Sequence, residues 1–377
     1  MNVREIDPQH RKDTRAFIQF PVNLYRDCEN WFPPLASSVR LTMNREKHPF
    51  YRHSAAAFFL AEENDTPVGR LAVLDHRRYN THHQTNVAFF YYFDAVDDPA
   101  VARALFDAGA AWARARGLTA ILGPKGFLRT DAPGILVEGC DCRAALGMPY
   151  NYAYYPALME AAGFEKEVDY LSGYLSGDYE LPERFGRIVA RVKERRGYWV
   201  KTFANKRELR AWIPRIQRVN NEAFTDVWGY YPVDEAEAAM IAQQLLSVAN
   251  PRLMKVLLKG DEVIGFAFVF PDISDALKAT DGRLWPLGWI RILREFGRTR
   301  RMSANGVGLL PAHQGLGGSA LLYTELAATL LDSQAEHCDV AQALESNVKS
   351  LGDMNALGVN WYKRHRVYRR DLIAPSL

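Results

Sequence analysis

Cysteine is scarce in this sequence of 377 residues, and the four present, Cys28, Cys140, Cys142 and Cys338, are spread too thinly to staple a fold. A chain this long buries enough core to need no such staples. Cys140-Asp141-Cys142 has no second pair at ligand spacing, so no metal site is expected. Net charge is small too: 47 basic and 44 acidic side chains leave +3, too little for long-range attraction of nucleic acid. No uncharged apolar run is long enough to span a bilayer. The opening Met1-Asn2-Val3-Arg4-Glu5-Ile6-Asp7-Pro8 also lacks the apolar centre of a secretory signal. A cytoplasmic protein with no membrane partner is the expectation.

Core material is plentiful, at 48% hydrophobic residues, and the length favours two domains. Two stretches match almost element for element. In the first, Ala57 to Glu62 leads through Asn64-Asp65 into Val68 to Leu74, the pattern of a hairpin. In the second, Leu253 to Leu258 leads through Lys259-Gly260-Asp261-Glu262 into Val263 to Val269. Each precedes another strand candidate, Val87 to Phe93 and Val307 to Leu310, which runs into a helix. Those helices carry apolar stripes: Val101, Leu105, Ala108 and Trp112 in one half, Leu322, Leu326 and Leu330 in the other. Strand candidates follow at Leu118 to Leu122 and Cys338 to Leu344. Asn205 with Glu208 and Asp234 with Glu237 are capping-box pairs that open two further helices, and Asn250-Pro251 stops the second. Glu183 to Arg196 reads as a basic helix. The expected fold class is α/β, a twisted mixed sheet with flanking helices in each of two domains, 1–177 and 178–377.

The sharpest functional signal runs from Gly308 to Leu322, where an apolar run ends in a glycine-dense turn and opens onto a helix. Glycines let the backbone approach phosphates, and a helix start supplies unpaired N–H groups and a favourable dipole. On the residues alone, a tight strand-to-helix turn with no ligand stays open as the alternative. The chain resembles, along nearly its whole length, a bacterial tandem of two GCN5-related N-acetyltransferase (GNAT) domains. In that family the signature Gln/Arg-x-x-Gly-x-Gly/Ala follows the fourth strand and binds the pyrophosphate of acetyl-coenzyme A. Here Gln314-Gly315-Leu316-Gly317-Gly318-Ser319 matches at Gln314 and Gly317, with Ser319 in place of the third small residue. The resemblance implies two acyl-CoA N-acyltransferase-like domains and a cosubstrate, acetyl-CoA or another acyl-CoA, bound by Gln314, Gly315, Leu316, Gly317, Gly318 and Ser319. It also implies pantetheine pairing with the main chain of Leu309 and Leu310, and a family-like Asn347 after the fifth strand.

Catalysis is less plainly written. Counting back from Gly358-Val359, the place where many family members carry the tyrosine that protonates the departing thiolate holds Met354. A thioether cannot donate that proton. Acyl transfer to an amine still draws on positioning and a polarised carbonyl. Glu345 is the candidate base, its alternative being an exposed or helix-capping acid. Tyr362 is a candidate donor, as are Tyr230 and Tyr231.

In the first half the equivalent turn is Asp94-Ala95-Val96-Asp97-Asp98-Pro99, without glycine. Carboxylates at a helix start compete with a phosphate, so this half is not expected to bind coenzyme there. Its tyrosine position is likewise a methionine, Met159. Tyr150, Asn151, Tyr154 and Tyr155, with Tyr230 from the other half, are candidate substrate-binding residues. The aromatic cluster equally suits packing between elements. Asn30 to Leu35 and His48 to Tyr51 resemble a lid. The basic, aromatic segment from Arg283 to Arg301 reads as a solvated helix face, and nucleic-acid binding is not expected. Two classes stay open: an acyl-CoA-dependent N-acyltransferase acting on a small-molecule or peptide amine, and a ligand-binding protein that kept the scaffold without the chemistry. Aminoacyl or peptidyl transfer is a related enzyme option, and a homodimer is an open expectation.

Overall fold

Asn2–Glu5 forms a short edge strand, β1, in the computed structural model, which describes residues 1–372. Two helices follow, α1 (Arg11–Leu24) and α2 (Ala36–Met43), then β2 (Ala55–Glu63) and β3 (Thr66–Asp75). Asn64 and Asp65 join the two strands with φ of 48° and 61°. Both residue types tolerate the left-handed region, so the tight turn fixes the register. Ala57 faces Val73 and Phe59 faces Leu71, all buried on one side of the hairpin. After α3 (Arg77–His83) comes β4 (Val87–Ala95), then α4 (Pro99–Arg114), whose first turn is capped by Asp98 accepting from the Ala100 N–H at 2.8 Å. The stripe Val101, Leu105 and Trp112 is buried against β2 and β3. β5 (Ala120–Gly123), β6 (Ile135–Glu138), α5 (Tyr155–Ala161) and β7 (Glu165–Ser176) follow.

The basic helix α6 (Glu183–Arg196) leads into β8 (Tyr198–Lys201), α7 (Lys206–Ala223) and α8 (Glu235–Val248). Both capping signals operate: Asn205 accepts from the Glu208 N–H at 2.9 Å, and Asp234 from the Glu237 N–H at 2.8 Å. Next come β9 (Met254–Lys259) and β10 (Glu262–Pro271), then α9 (Ser274–Lys278) and α10 (Gly288–Phe296). The chain continues through β11 (Arg301–Leu309), α11 (Gly318–Asp332), β12 (His337–Leu344), α12 (Val348–Leu357) and β13 (Asn360–Asp371). β11 is longer than its apolar run, Val307 to Leu310. The polar residues from Arg301 join because main-chain pairing to β10 and β12 holds them.

The chain forms two compact units. The first holds Met1–Tyr170, Ser274–Leu293 and the described residues from Lys363; the second holds Leu171–Ile273 and Arg294–Tyr362. In the first, the strand order is β1-β2-β3-β4-β5, continued by β13. Tyr368 pairs with Gly123 and Asp371 with Ala120, so the last strand of the sequence extends the first unit's sheet. In the second, the order is β12-β11-β10-β9-β8. Each unit is a mixed sheet with flanking helices, antiparallel except for one parallel pair, β4 with β5 and β11 with β12.

Candidate functional site

In the second unit, β11 and β12 pair from Arg301↔His337 to Ala304↔Val340, although they run on to Leu309 and Leu344. The β10–β11 register shifts between Ala267 and Val269, and Gly306 sits nearby at φ 113°. Beyond that irregularity β11 stays paired with β10, through Gly265↔Leu309, and the Leu310 N–H donates to the Ile264 carbonyl at 2.9 Å. The β11 edge turned to β12 therefore loses its ladder toward the carboxyl end.

The glycine turn stands at that end. A 3-10 turn over Pro311–His313 leads to Gly315 at φ 71° and Gly317 at φ 85°, and α11 starts at Gly318. A Cβ on Gly317 would fall 2.6 Å from Val192 and 3.0 Å from Ile188 of α6, whereas one on Gly315 would meet nothing within 4 Å. Gly317 is thus required by backbone and by packing, Gly315 by backbone alone. The amides of Gly318, Ser319 and Ala320 open the helix, where no carbonyl of the same helix can accept from them. Leu316 is half-buried beside them. Gln314 bridges outward, donating to the Leu309 carbonyl at 3.3 Å and accepting from Lys349 at 3.2 Å.

Lys349 arrives on α12, whose start is capped by Asn347 accepting from the Ser350 N–H at 3.1 Å. One turn along, Asp353 takes a hydrogen bond from Ser319; burial holds its carboxyl above the ordinary range, and Ser319 tempers the shift. Leu309, Gln314, Ser319, Asn347, Lys349 and Asp353 are thereby drawn to one end of the unit. Glu345, half-buried, follows β12 directly and leads into that cap. Lys349 and Asp353 were not picked out from the sequence, although their i,i+4 spacing places both on one face of α12 behind the Asn347 cap. Amides at a helix start, one ammonium group and a glycine-rich turn suit a pyrophosphate. Met354 sits in an apolar cluster with Phe185, Ala320, Leu357 and Val359, so its thioether fills core.

Other candidates fall elsewhere. Tyr362 donates to Asp339, which lies 3.3 Å from His337, and His337 stacks on Tyr174. Asp339 precedes Leu344 by five residues, roughly 17 Å along the strand, so Tyr362 is not brought to Glu345. Tyr230 is buried, donating to the Asn221 carbonyl at 3.0 Å, and Tyr231 is buried against Glu237.

In the first unit the corresponding strand end is filled. Tyr155 is fully buried; its hydroxyl accepts from the Ala95 N–H at 3.2 Å and lies 2.7 Å from that of Tyr25. Tyr154 donates to the Ala95 carbonyl at 2.8 Å, so both main-chain groups of Ala95 are taken. Both Tyr25 and Tyr155 reach Asp94, which is paired with Arg70 at 2.7 Å; desolvation raises the Asp94 carboxyl against the pull of that guanidinium. Asn151 holds both main-chain groups of Leu136, and Tyr150 donates to the Cys140 carbonyl at 2.8 Å. Trp31 stacks on Tyr25, and Phe50 packs on Phe127, so the aromatic-proline loops pack inward here.

No family model matches the chain. Among solved structures, a tandem GNAT protein from the clavulanic acid biosynthesis pathway, determined without AcCoA, superposes with a TM-score of 0.57 at 11% identity, covering 100% of this chain and 99% of that one. The protein therefore has the fold of the GCN5-related N-acetyltransferases. By sequence it is similar to Protein YghO of Escherichia coli (strain K12), 25% identical over 373 residues, or 96% of this chain and 94% of that protein. It is also similar to Bacterial ceramide synthase of Caulobacter vibrioides (strain NA1000 / CB15N), 27% identical over 285 residues, or 74% of this chain and 73% of that protein.

Proposed function

We propose that the protein is an acyl-CoA-dependent N-acyltransferase, built as two GNAT-like modules over 1–177 and 178–377, with the coenzyme held by the second. The observation that carries this reading is the Gln314–Ser319 turn, with glycines at positive φ where β11 leaves β12 and α11 begins. The amides from Gly315 to Ala320 and the Lys349 ammonium would hold the pyrophosphate; the free edge of β11 up to Leu309 would pair with the pantetheine amides. Leu310 is left out of this pairing, because its N–H is given to the Ile264 carbonyl and its carbonyl accepts from the His313 N–H at 2.8 Å.

The similarity to a ceramide synthase supports a narrower acceptor. A ceramide is an amide of a fatty acid with a long-chain amino alcohol, so making its amide bond from a thioester is N-acylation. The amine nitrogen attacks the thioester carbonyl carbon, the C–N bond forms, the C–S bond breaks, and the proton lost by nitrogen ends on the thiolate. Glu345, beside the turn, is the proposed proton acceptor. Tyr150, Asn151, Tyr154 and Tyr155 shape the first module rather than contact substrate in this reading, since their polar atoms are engaged in holding its loops. Met354 favours a second reading, a coenzyme-binding protein without turnover.

The test is to incubate purified protein with palmitoyl-CoA and sphinganine, following thiol release and the amide by mass spectrometry, with acetyl-CoA and short amines as controls. Amine-dependent thiol release with a long-chain amide as product is expected. Saturable coenzyme binding with no thiol release from any acyl-CoA and amine pair would establish the second reading. Absence of coenzyme binding sinks both.

A further inference from the structure

Nine large apolar side chains stand most exposed among the described residues, and four of them, Trp285 at 80%, Leu287 at 64%, Trp289 at 45% and Leu293 at 63%, fall within nine consecutive positions. The segment is anchored at its base. Lys278 donates to the carbonyls of Cys28 and Glu29 at 2.9 and 2.8 Å, Asp275 pairs with Arg143 at 2.5 Å, and Arg283 donates to Gln19 at 2.8 Å. Beyond that base the chain turns its apolar side outward. On α10, Trp289, Ile292, Leu293 and Phe296 recur at helical spacing, with Arg291, Arg294 and Glu295 opposite. Apart from Gly288, no residue of α10 is buried. Ile292 and Phe296 are half-buried, but Trp289 and Leu293 on the same stripe, with Trp285 and Leu287 before it, are offered to the surroundings.

Charge selects what covers it. From Arg283 to Arg301 there are six arginines and one acidic residue, Glu295. Gln19, which Arg283 grips, also lines a groove rimmed by Lys12 and Arg15 with Phe20, Leu24 and Val96 inside. Trp289 and Leu293 on one side of a short helix, Trp285 and Leu287 just before it, arginines on the helix's other side and a basic surround fit the interface of an anionic bilayer. There the apolar stripe enters the acyl boundary and guanidinium groups meet phosphates.

We propose that the segment Trp285 to Phe296 docks the protein on the surface of an anionic phospholipid membrane. It lies in the interface and does not span it: among the described residues no helix is long and apolar enough to cross. This departs from the expectation of no membrane partner and stands apart from the choice of acyl transfer reaction, because its readout is binding alone. The full chain is mixed with vesicles of phosphatidylcholine, with and without phosphatidylglycerol, and followed by co-sedimentation and by tryptophan quenching with brominated lipid. Binding to the phosphatidylglycerol vesicles is expected, weakening as salt is raised. Replacing Trp285, Leu287, Trp289 and Leu293 together by Ser should abolish both signals while leaving the circular dichroism and melting point of the wild type, since these side chains are exposed. Arg291→Glu with Arg294→Glu should weaken binding to the anionic vesicles more than tenfold, at about fivefold for each positive charge lost. The proposal is overturned if the wild type stays in the supernatant, or if the serine variant sediments like the wild type. Concentration-dependent self-association, lost in the serine variant and without vesicle binding, would instead assign the patch to a second copy.

Discussion

Gly315 and Gly317 stand two residues apart, both at positive φ, and differ in what a side chain would meet. At Gly315 a methyl group points to open space, so Gly315→Ala carries the backbone cost alone, about 1–2 kcal/mol. At Gly317 the same methyl also runs into Val192 and Ile188, and α6 or the helix start must move. Gly317→Ala is expected to lose more stability than Gly315→Ala and to lower coenzyme A affinity at least tenfold. Urea unfolding and isothermal titration check the two effects, and equal behaviour of the variants would refute the packing argument. The need for glycine at both positions can be read from the sequence because turns are local. The difference between them cannot, because Val192 lies 125 positions away from Gly317.

At the scale of the element, α12 is an arm that carries Lys349 and Asp353 to the turn. Its start depends on Asn347, whose amide oxygen accepts from the Ser350 N–H. Asn347→Ala should cost about 1 kcal/mol of stability, the usual loss for a helix cap, and weaken coenzyme binding as Lys349 loosens. Asn347→Ser separates capping from direct contact. A serine caps as well, so recovery of both stability and affinity identifies capping as the role, whereas recovery of stability alone identifies a contact between the asparagine and the coenzyme. Denaturant midpoints and titration calorimetry on the two variants decide it. Two caps, Asn205 and Asp234, were displayed openly in the sequence because capping joins residues three or fewer positions apart, whereas the caps at Asn347 and Asp98 emerged with the structure. The splay of β11 from β12 was not displayed. It follows from which strand pairs with which, and those partners are more than thirty residues apart.

Buried histidines give the first unit a pH-dependent stability. Burial pushes His48 and His365 down to about 4 and His76 down to about 3, from an ordinary value near 6.5. All three are neutral in the folded protein, while the unfolded chain takes up protons below about pH 6.5, so stability falls as pH drops from there toward 4. Asp131 works against this. Its enclosed carboxyl, accepting from the Phe127 and Leu128 amides, is raised to about 6, so the folded state holds that proton more tightly than the unfolded chain between about pH 6 and 4. Three histidines against one aspartate leave a net uptake of roughly two protons on unfolding near pH 5, and the raised carboxyl of Asp94 trims this. Urea midpoints measured from pH 7 to pH 4 should fall steadily. A flat or rising profile would show that the histidines are charged in the folded state.

The sequence by itself determined the hairpins, the helix starts and stops, the glycine turn and the α/β class, because each is written in neighbours a few positions apart. It also displayed the asymmetry between a glycine turn after β11 and an acidic one after β4. Only the tertiary structure decided that β13 extends the first unit's sheet, that Tyr154 and Tyr155 take both main-chain groups of Ala95, and that Tyr362 joins Asp339 away from Glu345. Only it turned the apolar side of α10 outward, where spacing alone had suggested a solvated helix face. Periodicity says that a helix has an apolar side; which surface that side meets is set by strands and helices far away in the chain.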